Sequence, residues 1–275
     1  MTATMTAPAG TSRVPALSDV MAGEWIKLRS LRSTRWTLGA TVLLVLGFSS
    51  LAVQLYAGRY SHLSASDRVE LHEDPISLVL QPGMAWGVIS VCVLAALTVT
   101  SEYSTGAIRS LMLAVPARRP VILAKAAVIS LVTFVLGDVL AFVAFFVSAP
   151  VINQHVEMSL SDGWALRAVL GSGVFLAATA VLAFSVAALV RNTAGGITAA
   201  VGLVFVAPNA AGFLPGRVGN YVSTYLPGGR AGQMILTSGR DTTHVLGPWA
   251  GIIVAVGWAV LALVMATVAV RRRDV

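Results

Sequence analysis

Six long apolar runs constrain this chain more than any other feature. Their approximate bounds are 36–56, 83–100, 121–149, 164–190, 194–214 and 246–270. About 20 helical residues, each rising about 1.5 Å, cross the hydrocarbon core of a bilayer. Within that core a segment must satisfy its own backbone N–H and C=O groups, which makes helices of such runs. The composition agrees, since 56% of the 275 residues are hydrophobic and only 11% are charged, against roughly 25% charged in a soluble domain. A soluble protein with a greasy core would not need several apolar runs of about 18 residues or more. The expectation is an all-α membrane protein with six transmembrane helices. Residues 17–275 form one transmembrane domain after a flexible tail, 1–16.

The third and fourth runs exceed the needed length and are expected to tilt or to extend into water. The fifth is the weakest, because it holds Gly195, Gly196, Gly202, Pro208 and Gly212. Neighbouring helices or water must satisfy the backbone groups that such residues free. The stretch RNTAGG separates it from the fourth run. Without that break, residues 171–214 would make one helix of about 65 Å, about twice the core thickness.

Basic residues flank the runs, and their bias sets the direction of insertion. With the N-terminus inside, the inner segments hold Arg13, Lys27, Arg29, Arg32, Arg35, Arg109, Arg118, Arg119, Lys125, Arg191 and Arg271 to Arg273, 13 in all. The outer segments hold six, Arg59, Arg68, Arg167, Arg217, Arg230 and Arg240. A multi-pass protein of the cell membrane with both termini cytoplasmic is therefore expected. The net charge of +7 reflects this topology, and no nucleic acid partner is expected. The opening MTATMTAPAGTSRVPA has no early apolar region and does not read as a cleaved signal.

Three further elements are expected beside the spans. Leu17, Met21, Trp25 and Leu28 recur at helical spacing before the first span, with Lys27, Arg29 and Ser30 on the other side. That pattern suits an N-terminal amphipathic surface helix attracted to anionic membrane lipids; the plainer reading is a basic flag that only fixes topology. After the second span, Ile108, Leu111, Met112 and Val115 fall on one helical face until Pro116 stops the pattern. Two readings are open there: a short cytoplasmic helix that transmits a push from a partner, or an interfacial hairpin. The outer stretch 216–248 places Tyr221, Tyr225 and Leu226 before a Pro227–Gly228–Gly229 turn. Two short helices dipping into the outer leaflet would fit it.

The chemistry that is missing matters equally. No GxxxxGK[ST] phosphate loop, no HExxH and no GxSxG occurs, so this chain is not expected to hydrolyse ATP or to be an enzyme. Cys92 is the single cysteine, which excludes an intrachain disulfide. His62, His72, His155 and His244 are scattered over the expected outer loops, so no metal site is expected. Asp138 lies inside the third run, where a charge is costly unless it pairs or meets water. It either makes a polar helix contact or takes part in transport.

From about residue 18 to 275 the chain resembles the ABC type-2 permeases, the membrane subunits of bacterial ABC exporters, and especially actinobacterial members associated with drug resistance. The segments EWIKLRSLRSTRW, SEYSTGAIRSLMLAVPARRPVILAKA, LVRNTAGGI and YLPGGRAGQMI, in that order around six spans, carry the resemblance. It implies that Glu24 through Arg35 form a connecting surface helix. It also implies that Glu102, Tyr103, Ser104, Thr105 and Gly106 lead into a cytoplasmic coupling helix. That helix runs from Ile108 to Pro116 with Arg109, Leu111 and Met112, and docks on a separate ATP-binding subunit. Arg191 and Asn192, with Thr193, would make a second inner contact, and Pro227 to Ile235 an extracellular re-entrant region. The second and fifth spans would line the substrate route, with Trp86, Val93, Leu97, Phe205 and Asn209 as candidates.

The same resemblance implies two permease protomers, identical or mixed, with two ATP-binding subunits. ATP and Mg would bind the partner ATPase, and this chain would hold no cofactor. The function so implied is outward movement of an amphipathic or hydrophobic drug, lipid or peptide. Two alternatives stand beside it: a non-transporting membrane sensor or immunity protein on the same scaffold, and an ion-coupled secondary transporter. Asp138 alone does not make an ion site, and no paired broken-helix pattern supports the second of these.

Overall fold

A computed structural model of the chain describes residues 17–104, 118–239 and 246–272, with the backbone alone at 17, 102–104, 118, 119, 271 and 272. The tail 1–16 lies outside the described residues. So does the expected coupling segment, with Thr105, Gly106, Ile108, Arg109, Leu111, Met112 and Pro116.

The described elements are helical throughout. Helix α1 (Leu17–Ser30) precedes α2 (Arg32–Arg59), and a short turn leads to α3 (Ala65–Glu73). Then come α4 (Pro75–Ser104), α5 (Arg118–Ile152) and α6 (Gly163–Val190). Helix α7 (Thr193–Val201) continues through a π-helical turn (Gly202–Val206) into α8 (Ala207–Ala211). Two short helices, α9 (Gly216–Tyr225) and α10 (Arg230–Met234), precede the last, α11 (Pro248–Arg272). Six stretches are long and apolar enough to cross a membrane: Arg32–His62, Pro75–Ser101, Pro120–Ile152, Gly163–Val190, Thr193–Ala211 and Pro248–Val270. The chain is thus an all-α membrane protein with six spans. An even number of crossings brings α1 and the end of α11 to one side, called the base here; the opposite side is the far end.

Two boundaries differ from the sequence expectation. The second span begins at Pro75 rather than near 83, and it carries Pro82 inside the helix. Pro75 suits a first helical position, where its missing N–H is no loss. The fifth span is not one regular helix. Pro208 has no N–H to give the carbonyl of Val204, one turn earlier. The ladder widens by one residue instead, and Ala207 N–H donates to Gly202 O.

Helix α6 is the hub. In its most apolar stretch 72% of residues are buried, against 22% in the first span and 17% in the last. Its sequence, GSGVFLAATAVLAFSVAA, is rich in small residues. In a bilayer, where lipid is as apolar as leucine, such residues let helices approach until their backbones pack. A Cβ on Gly137 of α5 would lie 2.9 Å from Gly173 Cα of α6, so here backbone meets backbone. Helices α2 and α4 use the same device: a Cβ on Gly83 would sit 2.4 Å from Val45 O. A buried Thr41–Ser90 hydroxyl pair at 2.7 Å adds about 1 kcal/mol.

Candidate functional site

At the base, one carboxylate ties two helices together. Glu24 of α1 accepts through Oε2 from Lys125 Nζ of α5 at 2.5 Å, and through Oε1 from Lys27 Nζ at 2.9 Å. The Glu24 and Lys125 side chains are 9% and 6% exposed, whereas Lys27 is 47% exposed. A buried pair of this kind is costly to split, because the survivor keeps a desolvated charge. Leu28 is buried one turn later on α1. The face that packs therefore runs through Glu24 and Leu28, while Trp25 and Ile26 stay exposed. Trp25, expected on the apolar face of this helix, is left uncovered by the rest of the chain.

Beside the pair lies a cleft of about 280 Å³. Leu28 of α1 and Leu31, which caps α2, wall it on one side, with Thr98 and Ser101 from α4, and Val128 and Ile129 from α5. The end of α4 and the start of α5, the two flanks of 105–117, thus meet α1 around one hollow. Glu102, Tyr103 and Ser104 continue α4 as helical backbone.

The α6–α7 turn closes the base on its other side. Arg191 takes the left-handed conformation (φ 58°), alone among the described non-glycine residues, and its N–H donates to Ala187 O at 2.9 Å. Asn192 caps α7, its Oδ1 accepting from Gly195 N–H at 2.9 Å. Gly196 sits against Ala187 and Thr100; a Cβ there would lie 3.5 Å from Thr100 Cγ2. The start of α7 therefore stands next to the end of α4.

The far end carries a second cleft, of about 370 Å³. Gln81, Pro82, Ala85 and Val88 line it from α4, and Phe175 from α6. Val204, Phe205 and Asn209 come from the π turn and α8, with Gly228, Gln233 and Leu236 opposite. Asn209 Nδ2 donates to Phe205 O at 2.5 Å. Gly228 (φ 73°) lets this wall close: a Cβ there would stand 2.0 Å from Val204 O. The widened turn made by Pro208 and the left-handed glycine therefore fit against each other.

The rim of the far end is polar. Arg167 Nη2 donates to Thr237 O (2.7 Å) and Ser238 O (3.0 Å). Ser238 N–H donates to Asp74 Oδ1 at 2.6 Å, and its hydroxyl to Glu73 O at 2.8 Å. Burial pushes the Asp74 carboxyl above its ordinary value, and the bonds from Ser238 and Ser77 only partly oppose this.

Of the route candidates, Phe205 and Asn209 share the far-end cleft. Trp86, Val93 and Leu97 do not line it. Trp86 stacks on Phe48 of α2, centroids 4.6 Å apart, and is 41% exposed. Val93 and Leu97 follow it along one stripe of α4, both half-buried. Gln81, Gln233 and Phe175 were not anticipated; two carboxamides at the ends of apolar segments were the available signal. Asp138 Oδ1 accepts from Gly173 N–H at 3.0 Å, so the carboxyl bridges α5 and α6 at their closest approach.

Among the described residues, no group of three or more His, Cys, Asp or Glu could hold a metal ion. A family model described as ABC-2 family transporter protein matches residues 20–209, which spans α1 to α8 and well over half of the chain. No curated protein matches the chain. Membrane permeases of this family are the non-catalytic part of their transporters. With six spans and a match of that extent, this chain belongs to the ABC-2 family of membrane transporter proteins.

Proposed function

We propose that this chain is the permease subunit of an ATP-driven exporter that moves an amphipathic or hydrophobic substrate out of the cell. The base faces the cytoplasm, as the 13-to-six distribution of basic residues favours. Helix α1 lies along the inner surface, with Trp25 and Ile26 turned to lipid. Residues 105–117 carry the coupling helix, and α9–α10 form the re-entrant region on the outside. The observation that carries this reading is the build of the base. Helix α1, both flanks of 105–117 and the α6–α7 turn converge there, and the Glu24–Lys125 bond joins α1 to the downstream flank. A partner pressing on 105–117 would move these segments together.

Two such chains and two ATP-binding subunits, which hold ATP and Mg, complete the transporter. Trp86, Val93 and Leu97 form a stripe of α4 that this chain leaves partly uncovered, and it faces the second protomer and the substrate route. Closure of the ATPases favours the outward-open state only so far as they bind that state more tightly. Asp138 serves as a helix clip.

Co-reconstitution with an ATP-binding subunit tests this. Replacing Ile108 or Arg109 is expected to weaken ATP-dependent transport while insertion stays normal. Unchanged transport and partner binding after substitutions across 104–116 would overturn the assignment, and so would labelling of that segment from outside intact cells.

A further inference from the structure

The polar groups around the far-end cleft are of one kind. Among the described residues that line it, Gln81, Asn209 and Gln233 carry primary carboxamides and none is ionisable. Among the described residues Gln81 and Gln233 make no side-chain hydrogen bond, and Asn209 uses only its Nδ2. A carboxamide offers two donors and an acceptor, and near the end of a span each unmet group must find water or a ligand. Phe175 and Phe205 supply an apolar wall, and about 370 Å³ suits a small amphiphile. A neighbouring recess that shares Gln81 and Pro82 is lined by Glu70 and Asp74, while Arg230 precedes Gln233 on α10 and Arg167 holds the rim at Thr237 and Ser238, so charges of both signs lie beyond the lining.

We propose that this cleft binds an uncharged amphiphile, holding its hydrogen-bonding head between the three carboxamides and its apolar part against the two phenylalanines. A neutral head that both donates and accepts meets each amide. A charged head of either sign would shed water with no oppositely charged residue among the described lining to face it. A neutral head is therefore bound more tightly than a charged one. Only the description of this ligand as a substrate rests on the exporter reading; the binding itself does not.

The test is direct binding to the full chain in phosphatidylcholine nanodiscs, without nucleotide or partner. The probes are an environment-sensitive naphthalene with one butyl chain ending in a primary amide, a trimethylammonium or a carboxylate. The amide probe is expected to bind about tenfold more tightly than the carboxylate. Gln81→Leu with Gln233→Leu should remove about that factor for the amide probe and leave the carboxylate unaffected. Gln233→Lys, at an exposed position of α10, should invert the order in favour of the carboxylate. Equal affinities for the three heads, or binding that survives all of these substitutions, means partition of the tail alone and overturns the proposal. Failure of ATP-coupled transport in a reconstituted complex would sink the exporter reading without touching this result.

Discussion

The base and the far end each hold several helices together, but by different physics. The base relies on a charge: Glu24 reaches across from α1 to Lys125, 101 residues later in the chain. The far-end cleft relies on shape: Gly228 and Gly232 let Val204 O and Phe175 approach to distances that no side chain would permit. An ion pair is strong only while both partners stay buried and aligned. A steric fit tolerates changes of charge but not of volume. The two ends should therefore fail under different substitutions.

The largest expected effect is at the base. Lys125→Met leaves Glu24 buried without its strongest partner and should cost about 3–5 kcal/mol, read from denaturant unfolding in detergent. The double variant Glu24→Gln/Lys125→Met should recover most of that loss. If the single variant is nearly neutral, the base is not held by charge and the contrast collapses. Next comes Gly228→Ala, which adds a Cβ at 2.0 Å from Val204 O with φ at 73°. Strain of that kind costs about 1–3 kcal/mol, and the loss should be independent of salt. Asn192→Ala, which removes the cap of α7, should cost about 1 kcal/mol and sharpen the comparison by showing how little the base depends on a neutral bond.

The smallest effect is one of pH at the rim. The folded chain holds the Asp74 proton more readily than the unfolded chain does. Stability from this group should therefore fall as pH rises from the ordinary carboxylate value through the raised one, and recover as pH falls back. Thermal unfolding against pH would show that slope, and Asp74→Asn, which keeps an acceptor for Ser238 N–H, should flatten it.

The spans were legible because hydropathy is local: any window of about 20 residues reports it. The role of Glu24 was not, since no local pattern shows that a lysine from another helix will come to meet it. A residue that reads as polar and surface-facing is in fact buried. The resemblance put Trp86, Val93 and Leu97 on the same route as Phe205 and Asn209, yet it does not say which neighbour each of them meets. Phe205 and Asn209 belong to a different wall. Pro208 was visible as a disturbance in the fifth span, but not that the ladder would widen there rather than break. Gln81 and Gln233 drew no reading from the sequence, and only the fold brings them to line one hollow with Asn209.

The Arg191–Asn192 turn has a mechanical consequence. Two residues, one of them fixed in a left-handed bend and the other capping the next helix, leave no slack between the hub and the fifth span. Under the exporter reading, a displacement of the hub would pass directly into the fifth span. The widened turn at 202–206 stands between that elbow and the far-end cleft.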